Sequence, residues 1–161
     1  MKKLLPFFVL FLLGKNALAQ VVPPCPVPPP PGAESCQQAC VNCNFDGYTG
    51  INNGTPSGGN PVCDGQVFLH NDQWFGFVAG STSISIDLLT ANCQNGDGLQ
   101  AAFFDGCPPG SDAIACNPGV GGGGGTPLNV QFNGFVPGQV YFFMLDGYSN
   151  DVCDFTIDVV A

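Results

Sequence analysis

Residues 81–89, STSISIDLL, place Ile84, Ile86 and Leu88 at every second position, with Ser83, Ser85 and Asp87 between them. Side chains of an extended chain point alternately to opposite faces, so this pattern describes a strand with one dry face and one wet face. LNVQFNGF repeats it from Leu128, setting Leu128, Val130 and Phe132 against Asn129, Gln131 and Asn133. DFTIDVV does so again, with Phe155, Ile157 and Val159 against Thr156 and Asp158. A second class of segment is apolar on both faces: WFGFV from Trp74, LQAAFF from Leu99 and VYFFML from Val140. These belong in central strands, or in strands whose outer face is covered by other parts of the chain. Turn formers separate the runs, as in DGC at Asp105, PGQ at Pro137 and DGYSND at Asp146. Together they predict an all-β protein, an antiparallel β-sandwich of jelly-roll-like form.

The amino-terminal end has a different character. MKKLLPFFVLFLLGKNALAQ reads as a secretory signal peptide, with Lys2 and Lys3 at its start, an apolar run from Leu4 to Leu13, and the small-residue cleavage site Ala17-Leu18-Ala19. The apolar run is well short of the ~20 residues a spanning helix needs, and no membrane span is expected after cleavage. Residues 1–19 are thus a removed signal, 20–33 a proline-rich spacer with polyproline II character, and 34–161 the folded domain. From Glu34 to Val62 the chain is polar and turn-rich, which predicts a cross-linked loop with at most one short edge strand. NPGVGGGGGTP, from Asn117 to Pro127, reads as a mobile strand connection, because a phosphate-cradling loop would need a preceding strand, a following helix and a lysine. The chain stops directly after its last strand pattern, and a position at the amino-terminal end of a longer surface protein is expected.

Charge excludes several functions. The three basic residues, Lys2, Lys3 and Lys15, all lie in the signal, while twelve acidic residues remain beside the single histidine, His70. Nucleic acid is excluded as a partner, since nothing is left to displace counterions from phosphates. Anionic membranes and phosphorylated substrates are disfavoured for the same reason.

Nine cysteines follow the signal: Cys25, Cys36, Cys40, Cys43, Cys63, Cys93, Cys107, Cys116 and Cys153. Export makes disulfides their default state. CQQACVNC, from Cys36 to Cys43, offers three thiols but no second close pair for zinc, and no neighbouring cation to activate a redox thiol. Cys36, Cys40, Cys43, Cys63, Cys93 and Cys153 are therefore read as structural. Cys107 and Cys116, flanking CPPGSDAIAC, are expected to pair with each other. The odd count leaves one over, and Cys25 is the candidate free or intermolecular thiol.

NDQWFGFVAGSTSISIDL (from Asn71), LQAAFFDGC (from Leu99) and GFVPGQVYFFMLDGYSNDVCDFTIDVV (from Gly134) together resemble the bacterial pre-peptidase C-terminal domain. Its Asp-x-x-Trp-Phe-x-Phe strand, Pro-Gly hairpin and closing strand are matched over about residues 64–160. The cysteine-rich amino half and the glycine loop depart from that pattern and look like modules of large surface proteins of the Bacteroidetes group. The resemblance implies a secreted β-sandwich with a non-catalytic accessory role, assisting or targeting an attached enzyme or adhesin.

Chemistry at a site finds little to work with. One imidazole and no mature lysine or arginine leave no obvious base, clamp or oxyanion partner, and Ser81 and Ser149 lack an elbow motif. A carboxylate-based hydrolase is formally open through Glu34 and eleven aspartates. No catalytic residue and no obligatory cofactor is assigned. Calcium is the one cation the residue types suit: Asp146, Asn150, Asp151 and Asp154 crowd one hairpin region, and Asn71 and Asp72 precede the Trp74 strand. The alternative for each is a solvated turn. A glycan could stack on Tyr48 or Tyr148, each in an Asp-Gly-Tyr turn, whereas Trp74 has the neighbours of a core residue. An extracellular glycan, a surface protein and downstream modules of a longer chain are the expected partners.

Overall fold

The computed structural model describes residues 32–55, 61–109, 112–119 and 126–160. The signal peptide, most of the spacer with Cys25, and the glycine run lie outside the described residues. Two sheets are stacked. The first contains β1 (Val41–Asn42), β5 (Gln73–Val78), β10 (Val140–Gly147), β7 (Leu99–Phe104) and β8 (Ala113–Asn117), in that spatial order. The second contains β2 (Thr49–Ile51), β11 (Asp154–Val160), β6 (Ser83–Ala91) and β9 (Leu128–Asn133). A small hairpin, β3 (Pro61–Val62) with β4 (Val67–Phe68), stands apart from both. Every strand pairing is antiparallel except β1 with β5. The sandwich is the predicted all-β architecture.

The three alternating sequences all fall in the four-stranded sheet. Their apolar sets, including Ile86, Leu88, Val130, Phe155 and Ile157, are buried against the other sheet. Cross-strand partners share a face, so the register Asp158↔Asp87↔Asn129 and Ser85↔Gln131 makes the opposite face mostly polar, with Val160 and Leu89 exposed among those side chains. The three doubly apolar sequences are β5, β10 and β7, the centre of the five-stranded sheet. Phe75, Phe77, Phe103 and Phe143 point inward to the shared core, joined there by Phe45, Phe135 and Tyr141. The Phe103 and Phe135 rings meet edge to face at 5.4 Å, and Phe77 meets Phe135 likewise at 5.6 Å. Each such fully buried ring contributes about 1.5–3 kcal/mol by burial alone. Asn117 of β8 donates to the carbonyl of Asn129 on β9 at 2.6 Å, closing one side of the sandwich.

The other face of the five-stranded sheet is dry as well. Trp74, Ala102, Phe104, Phe142 and Met144 form a second cluster there with Cys36, Ala39, Val62, Val67 and Leu69. This is the Glu34–Val62 region, expected to be loop, together with β4. Its 3₁₀ turn at Cys36–Gln38 and the β3–β4 hairpin form a third layer, while β1 extends the edge of the five-stranded sheet itself. Ala33, which composition assigns to the spacer, already pairs with Trp74 through two backbone hydrogen bonds. Strands of two or three residues carry no readable period. β1 and β2 form because edge backbone groups of the longer strands β5 and β11 need partners, and β3 and β4 because they pair with each other.

Two of the three disulfides among the described residues bolt this layer down: Cys36–Cys107 and Cys63–Cys116, the third being Cys93–Cys153. The expected Cys107–Cys116 bridge is therefore corrected. Residues 113–117 are not a closed loop but the strand β8, and its register sets Cys116 opposite Ala102, whose side the cap occupies. Cys107 stays in the loop at the β7–β8 turn and reaches the 3₁₀ turn instead. Cys40 and Cys43 are also corrected, since both are free thiols, Cys43 exposed. They flank the extended pair Val41–Asn42, which holds their Cα atoms on the order of 10 Å apart, beyond the ~7 Å a disulfide can span. The six remaining described cysteines are consumed by each other.

Candidate functional site

A concavity of about 750 Å³ opens between the parts of the cap. Its apolar surface comes from Pro61, Val62, Leu69, Trp74, Pro108 and Pro109. Glu34, Asp64, Asp72 and Asp112 supply its charge, and all four are acidic. The sequence holds no lysine or arginine between Gly32 and Val160 to offset them.

Each wall is fixed for a physical reason. Trp74 alternates outward on β5 and is buried under the cap, and its indole Nε1–H donates to the Asp72 carboxylate. Glu34 follows the Ala33–Trp74 pair, and its Oε2 accepts from the Thr55 N–H. The Asp112 Oδ1 accepts from the Cys63 N–H at 3.2 Å and from Ala113 at 2.7 Å, tying the β7–β8 loop to the hairpin. The hairpin tip turns through Cys63 and Asp64, both at positive φ (57° and 54°), with the Gly65 N–H bonded back to the Val62 carbonyl. Two successive left-handed residues make the tight turn whose twist suits a two-stranded ribbon. It leaves Asp64 exposed on the rim. The Cys36–Cys107 bridge joins the Ser35–Gln37 wall to the Pro108–Pro109 wall, and Cys63–Cys116 anchors the hairpin to β8. The groove is thus covalently braced.

The acidic residues considered for calcium go elsewhere. Asp146 and Asp151 are fully buried and act as staples for loops. Asp151 accepts four backbone N–H groups: Asn95 and Val152 on Oδ1, Asp97 and Gly98 on Oδ2. Burial alone would raise its pKa, but the donors together outweigh it and hold the carboxyl below its ordinary range. Asp146 accepts from the His70 and Asn71 N–H groups and from Gln100 Nε2. There burial prevails over those bonds, with the nearby Asp72 charge adding to it, and the pKa is raised. Asn71 and Asn52 complete the knot: Asn71 Nδ2 donates to the carbonyls of Asn52 and Asp151, and Asn52 Nδ2 to that of Asp151. Gly147 is required beside them, since a Cβ there would lie 1.8 Å from the Asp151 carbonyl oxygen. Asp154 bonds Asn92 at the surface, and Asn150 is exposed. Among the described residues only Cys93, Asp151 and Cys153 gather as three potential metal-ligating groups, and their two sulfurs are bonded to each other.

A smaller hollow, of about 350 Å³, is lined by Gln66, Phe68, His70, Gln100, Tyr148 and Ser149. Phe68 is about half exposed there. His70 Nδ1 stands 3.6 Å from Asp146 Oδ2 and has no hydrogen-bond partner among the described residues. Ser81 is occupied with the Ser83 carbonyl. Of the two tyrosines, Tyr148 reaches this hollow, while Tyr48 packs edge-on to Phe75 at 5.2 Å as a corner of the core. Burial raises the Tyr48 phenol pKa, opposed by a backbone hydrogen bond with Gly32. Trp74 is core, as its neighbours implied. The groove itself had one signal in the sequence: acids clustered among cysteines and prolines, without a cation. The spacing of those residues could not show that they meet.

No helix among the described residues is long and apolar enough to cross a membrane. No family model matches the chain, and no curated protein or solved structure is significantly similar to it.

Proposed function

We propose that the chain is a secreted, non-catalytic interaction module of a cell-surface protein, similar in role to pre-peptidase C-terminal domains, and that it holds its partner in the cap groove. The braced groove carries this reading. Its volume is that of a ligand site, and disulfides hold it open before any ligand arrives, which lowers the ordering cost of binding. Three bridges in one small domain suit an oxidising, extracellular setting. Among the described residues the groove's titratable side chains are carboxylates, and its walls hold no imidazole to support turnover.

Labelled, oxidised protein added to intact producer cells tests the proposal. Saturable binding that is lost after selective reduction of the bridges is the expected result. Absence of saturable binding, or turnover of a bound surface component, overturns it.

A second reading has its own observation. Phe68 and Tyr148 beside the amides of Gln66 and Gln100 form an aromatic and polar set of the kind that holds a sugar ring. A glycan array with wild-type protein and Phe68→Ala separates the two. Binding abolished by that substitution assigns the smaller hollow to glycan.

A further inference from the structure

We infer that the groove's occupant is an extended protein segment bearing lysine or arginine; this rests on the groove being the binding face. Charge is the first ground. Glu34, Asp64 and Asp112 are exposed on the rim, Asp72 lies deeper, and there is no lysine or arginine anywhere between Gly32 and Val160, while His70 is not among the groove's lining residues. The field in the groove therefore has one sign, and only a cationic visitor complements it.

The rest of the lining specifies which cation. Pro61, Pro108 and Pro109 have no N–H to offer, so the partner is not held by an added strand of backbone hydrogen bonds. Val62 and Leu69 present apolar surface beside the carboxylates. A lysine or arginine fits both at once, its methylene stem on the apolar wall and its charged head at the rim. A bare metal ion does not fit, because among the described residues no carboxylate set converges in the groove. A nucleic acid or anionic lipid would be repelled. The volume admits a few residues of extended peptide, and the bridged walls are set to receive it.

The test uses the disulfide-intact chain and three forms of a short proline-rich peptide: with lysines, with acetyl-lysines, and with glutamates. Fluorescence anisotropy should show binding of the lysine form alone, weakening as salt is raised. Two variants distinguish the groove from the general acidity of the molecule. In the first, Glu34→Gln with Asp64→Asn removes two rim charges, and asparagine is well tolerated at the left-handed backbone of position 64. In the second, Asp87→Asn with Asp158→Asn removes two charges from the far sheet. The first should weaken binding about tenfold and the second should leave it nearly unchanged. Equal weakening by both variants, equal binding of the acetylated or glutamate peptide, or no binding overturns the inference. Saturable cell binding with no lysine-peptide binding would leave the interaction module standing and sink only its cationic partner.

Discussion

The two sheets bury their inner faces against each other but treat their outer faces in opposite ways. The four-stranded sheet turns serine, asparagine, glutamine and aspartate to water. The five-stranded sheet turns Trp74, Phe104, Phe142 and Met144 outward and must be covered. Its cover is made of segments too short to fold alone, clamped by two bridges that reach 71 and 53 residues along the chain. The wet sheet is legible from its alternation, and its one bridge, Cys93–Cys153, only joins the adjacent ends of β6 and β11. The covered sheet needs covalent help, and the groove exists only because of that cover.

Phe143→Ala should have the largest effect, because that ring lies in the core both sheets share and is fully buried. A loss of about 3–5 kcal/mol is expected in urea denaturation, with the whole sandwich melting as one. Separate transitions for the two sheets would show that their common core is weaker than drawn. Removing the first clamp, Cys36→Ala with Cys107→Ala, should cost about 2–4 kcal/mol. Its signature is locality. Hydrogen exchange should speed up over residues 34–39 and 61–68 while β6, β9 and β11 keep their protection. Uniform loss of protection would mean that cap and sandwich are one cooperative unit.

The same contrast explains what was legible in the sequence. Ile84, Ile86 and Leu88 announce a strand by local alternation, and they form one. Trp74 and Phe104 announce dry surroundings on both faces, and they have them, but nothing local says what covers them. Val41–Asn42 is a strand only through β5, distant in the chain, and Pro61–Val62 only through its two-residue hairpin partner Val67–Phe68. The pairing of Cys107 and Cys116 was misread because AIAC is short enough to pass for a loop, whereas backbone pairing with β7 makes it a strand. Asp146 and Asp151 carried the pattern of an ion site. Backbone N–H groups from several loops fill the lone pairs an ion would have used, and such long-range donors leave no local trace.

Those two carboxylates sharpen the comparison further, at the end of the sandwich where loops from both sheets meet. Asp151→Asn sets an NH₂ group against backbone donors, so about 1–3 kcal/mol should be lost at neutral pH. Its pH dependence is also informative. The folded-state pKa of Asp151 lies below the unfolded value, so its contribution is complete above an unfolded pKa of about 4 and fades as pH falls through the folded value. Asp146 behaves oppositely. With its pKa raised in the fold, its ionised form weighs against folding at neutral pH, and that weight lifts as pH falls through the folded value. Melting curves from neutral to acid pH should therefore show a flatter acid limb for Asp151→Asn than for the wild type. Parallel limbs would remove Asp151 from the acid response.

The smallest effect concerns the wet sheet alone and should have the opposite sign. Asp158 on β11 stands directly across from Asp87 on β6, like charges on neighbouring strands of an open face. Asp87 Oδ1 accepts a hydrogen bond from Asn129 Nδ2 at 2.6 Å, which satisfies one oxygen but leaves the charge in place. Like charges at such a position destabilise a sheet modestly. Asp158→Asn should therefore stabilise the protein by a few tenths of a kcal/mol at low salt, and the gain should vanish at high salt as screening shortens the reach of the repulsion. A salt-independent gain would point to strand propensity as its cause. A loss would mean that the Asp158 carboxylate makes a contact worth more than the repulsion it causes, and the outer face would then no longer be simply a solvated surface.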